Sequence, residues 1–235
     1  MQLTPSDYAA LGWFCAAWAG FTYFADHSPW SRQCVGSVMD RHRLRWMREM
    51  MGREMRIVDT QVQQSVQNGI AFFASTSMLV LGGLIAALGA TQPATSVFRD
   101  LPFVMATTPA VLEVKILLMI VIFVYAFFKF ARAFRLASFF VMMIGAAPSK
   151  PTPAQADYAE AVARVGSLAA QHMTLGLRAY FFALAGLGWF VHPAVFVFTT
   201  TWVLLVVYRR EFRSRALAEI KRADHIMAGE DGTPD

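Results

Sequence analysis

The apolar residues of this chain fall in five blocks: Tyr8 to Ala25, Gly69 to Ala90, Val111 to Phe128, Thr174 to Val191 and Pro193 to Tyr208. A helix needs about 20 predominantly apolar residues, with a range of roughly 17 to 25, to cross a hydrocarbon core. The first four blocks qualify once their polar flanks reach the headgroups, and the fifth qualifies by running on through Arg209. The pattern therefore predicts an all-α polytopic bundle with five transmembrane helices, over 8–25, 69–90, 111–128, 174–191 and 193–208. These form one membrane-embedded domain over 1–225, followed by a short polar tail over 226–235. The rival for the last two spans is one bent helix from Thr174 to Tyr208. At about 1.5 Å per residue it would be roughly 50 Å long, too long for one crossing. His192–Pro193 is the natural turn, because proline disfavours helix in the residue before it and suits the first turn of a new one.

The segments between the blocks carry weaker patterns. Met47, Met51, Met55, Val58, Val62 and Val66 recur at intervals of four and three, the period of one helix face. This predicts an amphipathic cytoplasmic helix packed on the protein's own end, with its stripe continuing toward the second span. A basic membrane-surface helix is the alternative. Leu136 to Ala147 is apolar but too short to cross. It either continues the third helix, buried against partner helices, or lies in the interface. "ADYAEAVARVGSLAAQHM" resumes a helical pattern leading into the fourth span.

Composition agrees: 56% of the residues are hydrophobic and 16% charged, with a mean hydropathy of +0.42. Soluble domains average about 25% charged residues. The placement of charge adds orientation. Arg32, Arg41, Arg43, Arg45, Arg48, Arg53 and Arg56 lie between the first two spans. Lys129, Arg132 and Arg135 close the third, Lys150, Arg164 and Arg178 lead into the fourth, and six more follow the fifth. Only Arg99 and Lys115 of the 21 basic residues fall on the other side. Cytoplasmic loops hold the excess of Lys and Arg, so the N-terminus is expected outside and the C-terminus in the cytoplasm. The first block lacks a basic leading segment and a small-residue cleavage site and carries Trp13 and Trp18, so it reads as a retained span.

Three long stretches resemble a known family: "REMRIVDTQVQQSVQNGIAFFASTSMLVLGGLIAALGA", "FVYAFFKFARAFRLASFF" and "GLRAYFFALAGLGWFVHP". They are similar to the signatures of domain of unknown function 599, from Tyr8 to about Arg215. The resemblance implies a polytopic membrane protein, found in bacteria and plants, and implies no catalytic residues. With the basic side inward, the expected location is the bacterial inner (cytoplasmic) membrane.

The chemistry available is sparse. The five histidines are scattered, no two share a span at ligand spacing, and Cys15 and Cys34 lie in different settings. No cofactor, no metal, no enzymatic activity and no nucleic-acid partner are expected. Lys129, Arg132 and Arg135 read as a cationic collar at the cytoplasmic interface for anionic lipid or anions, their stems on apolar surface and their heads at phosphates. A voltage sensor would need them near the midplane with carboxylate partners. Gly82, Ala86 and Ala90, with Gly83 and Ala87, form small-residue series suited to helix packing within the chain or between subunits. Ser75, Thr76 and Ser77 are candidate pore-lining hydroxyls. The expected function is a self-associating, channel-like passive conductance with a cationic cytoplasmic mouth. The alternative is an accessory or scaffolding subunit of a larger membrane complex, and a secondary transporter is disfavoured by the absence of midplane ion-coupling charges.

The charge asymmetry has a direct test. A topology reporter fused after Asp235 is expected to be active only in the cytoplasm, and one inserted at Ala94 only outside. The opposite signal at either position would rule out the five-span threading.

Overall fold

The computed structural model describes residues 3–91, 108–148 and 152–230. Arg99, Lys150 and the 231–235 part of the tail, counted above, lie outside the described residues. Those described are helical apart from short breaks: α1 (Pro5–His27), a 3-10 turn (Pro29–Gln33), α2 (Val35–Met51), α3 (Ile57–Gly89), α4 (Pro109–Ala146), α5 (Gln155–Gly186), the single turn α6 (Gly188–Val191), α7 (Pro193–Phe212) and α8 (Arg215–Glu230). The all-α class expected from the sequence is what is seen. Among the described residues three stretches are long and apolar enough to cross a membrane: Ile57–Gly89, Pro109–Ala146 and Gln155–Val191. By its internal contacts the chain forms two compact units, each assembled from segments distant in sequence.

The first unit comprises 1–28, 73–128 and 175–207. Its core follows from the face that α1 buries, where Ala10, Phe14, Ala17, Phe21 and Ala25 recur every three or four residues. The Phe14 ring meets Phe196 at 5.1 Å and Phe182 at 5.8 Å. Trp18 stacks on Phe182 at 5.6 Å and turns an edge to Tyr125 at 5.5 Å. Trp189 stacks on Phe196 at 5.3 Å. Such offset and edge contacts suit the ring quadrupoles and each adds about 0.5–1.5 kcal/mol beyond burial.

Glycine at one position permits the tight hairpin beside these rings. The chain leaves the helix at His192, whose backbone is extended (φ −160°, ψ 146°), and Pro193 opens α7. Ala194 N–H donates to His192 Nδ1 at 3.1 Å, closing the turn. Thr199 Oγ1 donates to the Ala185 carbonyl at 2.9 Å. In one continuous helix residues fourteen apart would be about 21 Å apart, so the bent-helix alternative is excluded. A Cβ on Gly188 would lie 2.6 Å from Thr199 Oγ1 and 3.2 Å from the Phe196 Cα and the Val195 carbonyl oxygen. Only hydrogen fits there.

The second unit comprises 29–72, 129–174 and 208–235. Its core joins Met47, Met50 and Met51 of α2 to Phe140, Ile144 and Ala147, and to Ala159, Val162 and Ala163 of α5. Leu136 to Ala147, which the sequence left open, thus continues α4 and is buried against other helices along Ala137, Phe140 and Ile144. Arg56 caps its end, donating to the carbonyls of Ala147 at 2.5 Å and Pro148 at 2.8 Å. The last carbonyls of a helix have no partner of their own, and one guanidinium supplies them here. Asp224 of α8 accepts from Arg41 Nε at 2.7 Å and lies 3.8 Å from Arg45. Burial raises the Asp224 pKa, but the Arg41 hydrogen bond and the two guanidinium charges outweigh it and hold the carboxyl below its usual range.

The expected stripe from Met47 to Val66 does not form one face. Met47 and Met51 are buried, while Met55, Val58, Val62 and Val66 are exposed. The helix stops at Gly52, and the irregular residues before Ile57 reset the phase. The first turns of α3 bury Asp59, Gln63 and Gln67 instead. Asp59 Oδ1 accepts from Trp46 Nε1 at 2.6 Å and Arg53 Nη1 at 2.8 Å, and Gln67 donates to Ser138 at 2.9 Å. Polar groups go inside here because their partners are there.

The close approach at Gly188 is testable. Gly188→Val is expected to destabilise the detergent-solubilised protein by roughly 1–3 kcal/mol, the usual cost of overfilling a packed site. Gly20→Val, where a Cβ meets nothing within 4 Å among the described residues, should melt like the parent in the same thermal scan.

Candidate functional site

Two aspartates bracket the apolar length of α1: Asp26 meets Arg178 from another helix, and Asp7 meets Trp189, whose ring Lys115 also approaches. At the N-terminal end Pro5 opens the helix and Thr4 precedes it. Asp7 Oδ2 accepts from Thr4 N at 3.0 Å and Thr4 Oγ1 at 2.6 Å. Its Oδ1 accepts from Trp189 Nε1 at 2.8 Å. Lys115 of α4 places Nζ 5.8 Å from the centroid of the same indole and acts electrostatically on the Asp7 carboxylate. Asp7 is 6% exposed and Lys115 4%. Nearby in the same unit Thr91 donates to Glu113 Oε1 at 3.2 Å.

At the C-terminal end of α1, Asp26 Oδ1 accepts from Arg178 Nη1 of α5 at 3.2 Å. The guanidinium also lies 5.4 Å from the Phe21 ring centroid. The Arg178 side chain is 8% exposed and that of Asp26 25%. A charge taken from water is tolerated when it is paired and hydrogen-bonded, as Arg178 is to Asp26 with Phe21 beside the guanidinium. Asp7 and Asp26 are nineteen residues apart on one helix, about 28 Å at 1.5 Å per residue. The hydrocarbon core of a bilayer is about 30 Å thick.

The residues singled out from the sequence lie elsewhere. On α4, Lys129 is half-buried while Arg132 and Arg135 are exposed. Arg132 Nε donates to His172 Nε2 at 3.0 Å, and the Arg135 guanidinium sits 5.5 Å from the Phe139 ring. The three hydroxyls of α3 part company. Ser75 is exposed and Thr76 half-buried. Ser77 is fully buried, donates to the Phe73 carbonyl at 2.8 Å and shares a 2.9 Å hydrogen bond with Tyr180. Gly82, Gly83, Ala86 and Ala90 are all exposed, and a Cβ on either glycine meets nothing within 4 Å among the described residues. The small residues therefore do not serve packing within the described chain.

The two charge pairs were missed by the sequence reading, although their signal was there. Asp7 and Asp26 stand at the two limits of the Tyr8–Ala25 block, and Lys115 and Arg178 are the only basic residues inside the other predicted spans. Counting basic residues by side, rather than asking what each would pair with, hid them. Among the described residues no group of three or more His, Cys, Asp or Glu is placed to hold a metal ion.

The pairing can be measured by a double-mutant cycle. Removing one partner of a fully buried pair costs roughly 3–5 kcal/mol. With a quarter of Asp26 exposed, Asp26→Ala or Arg178→Ala is expected to cost about 2–3 kcal/mol. The double variant should cost clearly less than the sum of the two. Additive effects would mean that the two side chains do not interact.

A family model described as "Protein of unknown function, DUF599" matches residues 9–216. No match is found among curated proteins or among solved structures. The stretch matched takes in both partners of the Asp26–Arg178 pair, together with Lys115 and Trp189, and the chain belongs to the DUF599 family.

Proposed function

We propose that this chain is a five-span protein of the bacterial cytoplasmic membrane, N-terminus outside and C-terminus inside, that acts as a scaffolding subunit of a larger membrane assembly. The spacing of Asp7 and Asp26 supports α1 as a span, because it sets one carboxylate near each edge of the hydrocarbon. Trp13 Nε1 of α1 donates to Thr201 Oγ1 of α7 at 3.2 Å, which supports α7 as its neighbour in the membrane. Eighteen of the 21 Lys and Arg belong to the second unit and three to the first, as expected if the second is cytoplasmic.

The observation that carries the scaffolding role is the interior of the first unit. Phe14, Phe182, Phe196 and Trp189 fill it, each less than 2% exposed, while Asp7 is hydrogen-bonded to Thr4 and Trp189 and Arg178 is paired with Asp26. Among the described residues little polar surface is left inside this unit beyond the buried hydroxyls of Thr22 and Thr200, which supports a rigid packing element over an inner path for a solute. We assign it no enzymatic role. A passive conductance formed between copies is the second reading. It is favoured by the exposure of Ser75 and of the collar cations Arg132 and Arg135, which would give such a path a cationic cytoplasmic mouth. The same cations suit anionic headgroups.

Isolation and reconstitution separate the two readings. Gentle extraction is expected to yield a complex larger than one 26.2 kDa chain, and liposomes holding the purified protein should be no leakier than empty ones. A chloride-selective reversal potential, lost when Lys129, Arg132 and Arg135 are all changed to Gln, would overturn scaffolding in favour of conductance.

A further inference from the structure

α3 is the most open of the apolar helices. In its most apolar 18-residue window 17% of residues are buried, against 39% in α4 and 56% in the stretch Gln155–Val191. Its one covered side runs through Asp59, Gln63, Ile70, Ser77 and Leu81. Away from that side the sequence has a second regularity. Val58, Val62, Ser65, Gly69, Phe72, Thr76, Leu79, Gly83, Ala86 and Ala90 follow one another at alternating intervals of four and three, without a break. That is the 3.5-residue repeat of a helix–helix seam. Eight of these ten positions are exposed and the other two half-buried.

We infer that this seam of α3 is the interface of a parallel homodimer. The inference rests on the reading of α3 as a membrane span and names the partner for its open face.

Lipid alone does not account for the seam. From Val58 to Ala90 is 32 residues, about 48 Å along a helix, whereas the hydrocarbon core is about 30 Å thick. Part of the stripe therefore lies beyond the lipid tails. The polar end, beside Asp59 and Gln63, is the one outside. There Val58 is 65% exposed and Val62 49%, an apolar edge suited to a protein partner.

A second copy fits for three reasons. Two copies threaded the same way present the same helix in parallel, so the whole repeat comes into register at once. A parallel symmetric seam sets each residue near its own counterpart, where any charge would meet a like charge. From Thr60 to Thr91 there is no Asp, Glu, Lys or Arg. Finally, Gly69, Gly83, Ala86 and Ala90 leave room for close backbone approach, the main source of helix association in lipid. A stable interface takes about 20–30 residues a side. The ten seam positions with flanking Gln61, Gln64 and Ser75 make thirteen, about half that size, and the other exposed residues of α3 beside them supply further area.

The test is oxidative cross-linking in native membranes, using single cysteines in the full chain with Cys15 and Cys34 changed to Ser. Disulfide-linked dimer is expected for Val62→Cys, Gly83→Cys and Ala86→Cys. Met78→Cys and Ile85→Cys, which are exposed on other sides of α3, should give none. Gly83→Leu should shift the purified protein from dimer to monomer with its helical content intact. Equal cross-linking at all five positions, or none at any, would overturn the interface. A monomeric chain that still resists alkaline extraction from membranes would overturn the dimer and leave the membrane reading standing. A chain released by alkaline extraction would overturn both.

Discussion

The arrangement of the first unit depends on the cost of carrying charge into a low-dielectric surrounding. An unpaired ion there is penalised by several kcal/mol even after relaxation, so each buried charge needs a fixed opposite charge. α1 supplies a carboxylate at each end; Asp26 is paired with Arg178 on α5, and Lys115 on α4 lies over the ring of Trp189 near Asp7. Trp189, from the turn before the hairpin, closes the first pair by donating to Asp7. Three remote parts of the chain are therefore tied to one helix at two levels. The register of α1 is set by those levels. A shift of one residue would rotate both aspartates away from their partners together, by about 100° on a helix of 3.6 residues per turn.

Between the two levels no further polar device is needed, and the aromatic rings supply the specificity. Phe14, Phe182 and Phe196 come from α1, α5 and α7, and their edge and tilted contacts admit few relative placements of the three helices. Small residues serve this packing at two points. Gly188 lets the hairpin close against α7, and on Gly186 a Cβ would lie 3.0 Å from Met119 Sδ. Gly82 and Gly83 meet nothing of the sort among the described residues. The same residue type is used inward for internal close approach and outward on a face left for something else.

Much of this architecture was legible because hydropathy patterning is a strong signal in membranes, where every backbone group must be satisfied within a helix. The helical class and the apolar blocks came from it, while the His192–Pro193 turn rested on proline and the family resemblance on three long stretches of sequence. The stripe from Met47 to Val66 failed for a specific reason. Periodicity was carried through Gly52, Arg53 and Glu54, where the chain is not continuously helical. It also assumed that the apolar side is the buried one. The charge pairs went unseen because a pair is a tertiary fact, joining residues more than one hundred apart in sequence, and no local window contains both members. Ser77 shows the same limit, since only the placement of Tyr180 decides that it faces inward.

The reversed polarity at the start of α3 has a physical basis that local propensity does not contain. Asp59, Gln63 and Gln67 recur every four residues, so they line one side of the helix. Burying that side is favourable where its polar groups find partners, as Asp59 Oδ1 and Gln67 do. Trp46 and Arg53 meet Asp59, and Ser138 meets Gln67. Once they do, Val58, Val62 and Val66 are necessarily turned the other way. A helix in water would be destabilised by presenting such a face, and the usual remedy of burying the valines would orphan a carboxylate at a cost of about 1–3 kcal/mol or more. The polar contacts within the unit thus force apolar surface outward, and the stability of this segment becomes a property of whatever covers that surface as well as of the chain itself.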